Sequence, residues 1–162
     1  MKHLLLLPFL CTMTLGMAQT DKITKLLNKQ FEVEQKIYEA DDEFKPTLIE
    51  PFRIENDSLS FTFSQAGTEP GQMMITRRSV HLKDIEEFMK DINILFVTSR
   101  NAVRETHTIL GSDGQILETT ERFTYLFFTQ LFKDQDNRAF FKKMLRAFDR
   151  AGYKIVGEHW YN

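Results

Sequence analysis

Hydrophobic and polar residues alternate along this chain with two different periods, and each period marks an element. Across residues 21–40 the apolar positions Ile23, Leu26, Leu27, Val33 and Ile37 recur at helical spacing, with Gln30 among them and Phe31 and Tyr38 at the edge. This predicts an amphipathic helix with Thr20 or Asp21 as its N-cap and Asp41-Asp42-Glu43 as an acidic exit. From Pro46 the period falls to two. Leu48, Phe52 and Ile54, then Leu59, Phe61 and Phe63, predict two strands joined by an Asn56-Asp57 turn. Pro51 marks an edge or a bulge in the first of them. Ser60 and Thr62 separate the apolar positions of the second, which implies one buried face.

Two glycines and a proline make residues 65–71 a loop. Residues 72–80 then predict a third strand, with Met74, Thr76, Arg78 and Val80 on one side. Within residues 81–90, Leu82, Ile85, Phe88 and Met89 have helical spacing, so a helical turn is expected. Residues 92–99 predict a buried strand. Residues 103–110 and 115–128 flank Gly111-Ser112-Asp113-Gly114, a hairpin signal. One face of this hairpin carries Glu105, His107, Glu118, Thr120 and Arg122; the other carries Arg104, Thr106, Thr108, Thr119 and Glu121. Its middle is polar on both faces and is expected to be solvated. Asp134 or Asp136 is the expected cap of a last helix over residues 137–151, with Phe140, Phe141, Met144, Leu145 and Phe148 on its apolar face and Gly152 as its stop. Residues 153–161 predict a final short strand.

The fold class expected is α+β: a mostly antiparallel sheet, an N-terminal helix, and a C-terminal amphipathic helix followed by a short strand. A meander of strands before an amphipathic helix, together with the stretch Val80-His81-Leu82-Lys83-Asp84-Ile85, resembles a pleckstrin-homology or GRAM-like barrel over residues 46–151. That resemblance implies a binding role. The first helix and the final strand depart from the pattern, and no functional residue carries over.

The N-terminus adds a destination. Met1-Lys2-His3 precedes an apolar run over residues 4–15 and then Gly16-Met17-Ala18. A positive start, a short apolar core and small residues before a cut form the pattern of a cleavable secretory signal peptide. A bilayer span needs about 20 apolar residues, so a retained anchor is the lesser reading. Residues 1–18 are expected to be removed, leaving one domain: a helical segment at residues 19–45 and an antiparallel body at residues 46–162. The destination is the periplasm or the extracellular space. Cys11, the only cysteine, leaves with the signal. Leu10 stands where acylation of Cys11 would require a small residue. The mature chain therefore has neither thiol nor disulfide, and must stand on packing alone. Fifteen phenylalanines make that feasible. Losing Lys2 moves the formal net charge from −2 to −3, which argues against nucleic acid as a partner.

Candidate chemistry is sparse. His81, His107 and His159 share no ligand spacing, and no HExxH motif occurs. Asp134-Gln135-Asp136-Asn137 resembles the opening of a calcium loop, but Ala139 and Leu145 occupy the positions of its glycine and closing glutamate. No nucleophile elbow or phosphate loop is present, and no cofactor or metal is expected. The expected function is a non-catalytic binding or protein-interaction module, with an anionic ligand or an envelope protein as partner. Its candidate residues are Arg138, Lys142, Arg146 and Arg150, spaced by four, with Lys143 beside them, and Trp160 and Tyr161 in the tail. The alternatives are a small envelope hydrolase assembled from His107, Glu118 and Glu121, or an inhibitor or immunity-type protein.

Overall fold

The computed structural model describes residues 7–39, 42 and 45–161, with residues 7–19 as backbone only. The positive start expected of a signal peptide, Asp41 and Glu43 of the expected acidic exit, and the side chain of Cys11 lie outside the described residues. Helix α1 (Leu7–Gln35) leads into β1 (Thr47–Glu55), β2 (Ser58–Ala66) and β3 (Met73–His81). A 3-10 turn (Leu82–Asp84) follows, then β4 (Ile85–Lys90), β5 (Ile94–Thr98), β6 (Val103–Leu110), β7 (Ile116–Thr124), β8 (Leu126–Leu131) and α2 (Arg138–Arg150). No helix among the described residues is long and apolar enough to cross a membrane.

The class is α+β with antiparallel sheets. The strands form a five-stranded sheet in the order β1-β2-β3-β6-β7 and a three-stranded sheet in the order β4-β5-β8. They do not close into a barrel. After β3 the chain leaves the first sheet to build β4 and β5, then returns to pair β6 with β3. This crossing replaces the continuous meander on which the pleckstrin-homology resemblance rests.

Phenylalanine rings fill the space between the layers. Phe61 stacks on Phe52 at 4.2 Å and on Phe63 at 5.4 Å, and meets Phe127 of the small sheet at 5.5 Å. Phe127 continues to Phe96, and Phe96 to Phe88 and to Phe148 of α2. Each fully buried ring contributes about 1.5–3 kcal/mol. The protein's own rings thus occupy the interior.

The β1–β2 hairpin turns through Asn56 and Asp57, both at positive φ (49° and 59°), the conformation of a tight primed turn. Gly152, at φ 86°, ends α2: its N–H reaches the Asp149 carbonyl and the Tyr153 N–H reaches Phe148.

Several expectations fail for identifiable reasons. Helix α1 begins at Leu7, so Thr20 and Asp21 lie inside it rather than capping it, and it ends at Gln35 instead of Ala40. Its buried side includes Ile23, Leu27, Gln30, Phe31 and Glu34, while Val33 is exposed; beyond the helix Tyr38 is buried and Ile37 exposed. A helical turn does form, but only over Leu82–Asp84, and the inward spacing of Ile85 and Phe88 comes from a bulged strand. The β4–β5 register shifts between Ile85 and Glu87, so residues three apart both point inward. The strand expected over residues 115–128 breaks at Tyr125 and feeds both sheets. Asn137, without a side-chain cap bond, starts α2; Asp134 Oδ1 instead accepts the Asp136 N–H at 3.1 Å. The tail makes two isolated parallel bridges to β4, Glu87–Val156 and Lys90–Trp160, rather than a strand. Buried Lys90 also donates to Asp134 O, Gln135 O and Asn137 Oδ1, each at 3.3 Å, which fixes the loop entering α2.

Candidate functional site

The basic row predicted from the sequence lies on the outer side of α2. Arg138, Lys142, Lys143, Arg146 and Arg150 are exposed, opposite buried Phe140, Met144 and Phe148. Lys143 also lines a groove of about 350 Å³ between the helices, shared with Lys22, Lys25 and Lys29 of α1 and with Asp134 and Asp136. Trp160 is elsewhere. Its ring packs on Phe141 at 4.3 Å and on Phe88 at 5.2 Å, against the apolar side of α2. Tyr161 is exposed beside His159. A hydrogen bond and the charge of Glu87 raise the pKa of His159. The structure therefore separates the aromatic tail from the basic row.

The hydrolase grouping does not form. His107 pairs across the hairpin with Thr120, Glu118 opposes Ile109, and Glu121 binds Arg104 on the other face. Instead His107 joins a charged cluster inside the sheet. Its Nε2 lies 2.6 Å from Glu105 Oε1, and its Nδ1 lies 3.0 Å from Thr76 Oγ1. Glu105 also binds Arg78 Nε, and Arg122 reaches it through Nε at 2.9 Å and Nη2 at 2.5 Å. Arg78 is itself buried, sits 5.1 Å from the Phe63 centroid and donates to the Phe128 carbonyl at 2.8 Å.

Burial alone would raise the Glu105 pKa. The charge of Arg78 and hydrogen bonds from Arg78, Arg122 and His107 outweigh it and hold the carboxyl down at about 2. Burial lowers the pKa of Arg78, and Glu105 opposes that shift. The expected solvated middle of the hairpin is thus half wrong: β7 is exposed, but Glu105 is 1% exposed because three donors replace its water. Thr76, His107 and Glu105 have the hydrogen-bond order of a nucleophile, base and acid. Thr76 is 0% exposed, however, so no substrate atom can approach its hydroxyl. The cluster locks β3, β6 and β7 together.

The outer face of the same sheet is different. Three rows of paired residues cross it: Ser60, Ser79 and Arg104; Thr62, Arg77 and Thr106; Ser64, Ile75 and Thr108. The sheet is concave here. An open hollow of about 580 Å³ is lined by Glu50, Thr62, Arg77, Ser79, Arg104 and Thr106, among others. A second of about 400 Å³ adjoins it toward the Asn56 turn and shares Arg77, Ser79 and Arg104. The concavity explains why Ser60, Thr62 and Ser64 are buried although Phe61 and Phe63 point the other way. Both faces of β2 are covered, not the single one expected.

Within the trough, Thr62 Oγ1 donates to Glu50 Oε2 at 2.6 Å, a bond that lowers the Glu50 pKa. Arg104 is held by Glu121, through Nε at 2.7 Å and Nη2 at 2.5 Å. Arg77 is exposed and forms no ion pair within 4 Å among the described residues.

Comparison with protein-family models, with curated proteins and with solved structures finds no match for this chain.

The site's chemistry is therefore that of its own side chains. Among the described residues no three metal-ligating side chains cluster. Hydroxyl groups both donate and accept, and a guanidinium presents a planar fork of donors to an anion. The trough can hold and orient a polar anion through Arg77 and its flanking hydroxyl groups. Sequence reasoning identified Arg104, Thr106, Thr108 and Glu121 as one polar face. It missed Arg77, Ser79, Ser60 and Thr62. Their period-two spacing was the available signal, but three strands had to be set side by side before it described a surface.

Proposed function

We propose that this protein is an exported, non-catalytic binding module that holds an anionic, hydroxyl-bearing ligand, an acidic saccharide, in the trough of the five-stranded sheet. One observation carries the reading. Arg77, which lines both adjoining hollows, is an exposed guanidinium with no ion pair within 4 Å among the described residues, set among serine and threonine hydroxyls with the Glu50 carboxylate farther off in the same hollow. A guanidinium bound to a carboxylate is among the stronger polar contacts available to a binding protein. The flanking hydroxyls match the alternating donors and acceptors of a sugar chain. Export follows from the N-terminal pattern. The calorimetric test uses a uronic-acid oligosaccharide, its neutral counterpart and inorganic phosphate. The acidic saccharide is expected to bind, the neutral one to bind at least tenfold more weakly, and Arg77→Ser to lose about tenfold, the worth of one charge-assisted bond. Equal binding of acidic and neutral sugars, or an unchanged Arg77→Ser variant, refutes the reading. Binding of phosphate alone would leave the trough an anion site without saccharide recognition, which also refutes it.

A further inference from the structure

Strand β7 is an open edge. It is the last strand of the five-stranded sheet, its first eight residues are exposed, and no proline interrupts it. Ile116, Leu117 and Phe123 are 67%, 58% and 57% exposed on it. One side of its backbone is paired with β6, and the other faces away from the sheet. Such an edge is a template for another strand.

We propose that β7 pairs antiparallel with β7 of a second copy of this chain, centred on Thr120, so that two five-stranded sheets join into one. The register is set by the strand itself. Its limits, Ile116 and Thr124, are equidistant from Thr120, so full overlap places Thr120 opposite its own copy. Every other pair then follows. Glu118 faces Arg122 of the second copy, and the two-fold axis repeats that pair. Leu117 faces Phe123, Thr119 faces Glu121, and Ile116 faces Thr124. Opposite charges and an aromatic–aliphatic pair are among the favourable cross-strand contacts. A slip that opposes Glu121 to its own copy brings like charges together.

The side chains are available for this. Glu118 is exposed and forms no ion pair within 4 Å among the described residues. Arg122 serves Glu105 through Nε and Nη2 only, and its side chain is 66% exposed. Its Nη1 remains for a carboxylate across the axis. Inner face continues inner face, because Glu118, Thr120 and Arg122 lie on the Glu105 side in both copies. Nine paired residues supply about eight main-chain hydrogen bonds across the junction. A two-fold contact of this kind is closed, so assembly stops at two copies. The proposal does not depend on the ligand assigned to the trough.

Sedimentation of the purified protein across the micromolar to millimolar range tests it. Wild type is expected to sediment as a dimer that dissociates on dilution. Glu118→Arg opposes two arginines twice and should weaken the dimer more than about tenfold, as should Arg122→Glu. Mixing these two variants restores both pairs, so a heterodimer is expected where neither variant dimerises alone. Amide exchange gives a second readout that does not need the Arg122 variant to fold. The outward amides of β7 should be slow in wild type at high concentration and fast in Glu118→Arg. A wild type that stays monomeric throughout, or a dimer indifferent to Glu118→Arg, overturns the proposal. So does fast exchange at β7 in an intact dimer, which would place the contact on another surface.

Discussion

At one edge of the five-stranded sheet, β1 carries Pro51 and two register shifts, and α1 lies against it. Asn28 of α1 bonds both polar groups of Phe52, accepting its N–H through Oδ1 and donating Nδ2 to its carbonyl, each at 2.9 Å. At the other edge β7 runs without proline and, among the described residues, without cover. The same contrast holds in the interior. Stacked rings Phe52, Phe61 and Phe63 support the β1–β2 end, whereas the ion cluster of Arg78, Glu105, Arg122 and His107 supports the β6–β7 end. The difference teaches where association can occur. A strand that is bulged, proline-bearing and bridged by a helix cannot accept a partner. A strand held only to its one neighbour, by Glu105 on the inner face and by the Arg104–Glu121 pair on the outer, keeps its far edge open.

Two buried glutamates express the contrast in electrostatic terms. Glu34 of α1 is 1% exposed, like Glu105. It accepts the N–H groups of Phe132 at 2.7 Å and Lys133 at 2.8 Å, but no cation binds it among the described residues. Burial therefore raises its pKa, with the two N–H groups only partly offsetting the shift. Glu105, with two arginines against it, is shifted the other way.

The largest effect is expected from Glu105→Ala, which leaves Arg78 buried without its counter-charge. It should cost about 3–5 kcal/mol in urea unfolding. Amide exchange should speed up first in β6 and β7; a loss spread evenly over β1 and β2 would show that the two ends are not separately supported. Asn28→Ala acts on the closed edge. Losing both bonds to Phe52 should cost about 1–2 kcal/mol, and should accelerate exchange of the Phe52 amide while β7 stays unchanged.

The smallest effect is a change in pH dependence. Glu34 has a raised folded pKa, so its contribution to stability is complete below the ordinary value of 4.5 and is lost as pH rises through the folded value. Glu105 has a depressed folded pKa, so its contribution is present above 4.5 and is lost as pH falls through about 2. Glu34→Gln keeps an acceptor for both N–H groups and should alter stability at neutral pH by less than about 1 kcal/mol. It should also flatten the decline above pH 4.5, and Glu105→Ala should flatten the decline below it. Urea unfolding of both variants across a pH series reads the two slopes. Slopes of the same sign in the two variants would contradict the assigned shifts.

Much of the fold was legible in the sequence because local patterns dictated it. The β1–β2 hairpin, the β6–β7 hairpin and α2 with its Gly152 stop each sit on a strong period flanked by turn residues. What escaped required knowledge of distant partners. The spacing of Ile85 and Phe88 fits a helix and a bulged strand equally, and only pairing with β5 ends the helical turn at Asp84. Glu34 and Glu105 are charged residues on polar-looking faces. Their burial depends on donors 98 residues away in one case and 27 in the other. The basic row on α2 was legible as a surface. The trough was not, because Arg77 and Arg104 belong to strands separated by the excursion through β4 and β5.

Trp160 is the only tryptophan in the chain, and it stacks against Phe141 of α2 while the tail hangs on β4 by two bridges. Gly157 makes that seat possible, since a Cβ there would fall 2.6 Å from the Phe141 ring. The tail therefore carries its own optical reporter. Indole fluorescence follows the docking of residues 153–161 separately from the unfolding of the sheets behind them.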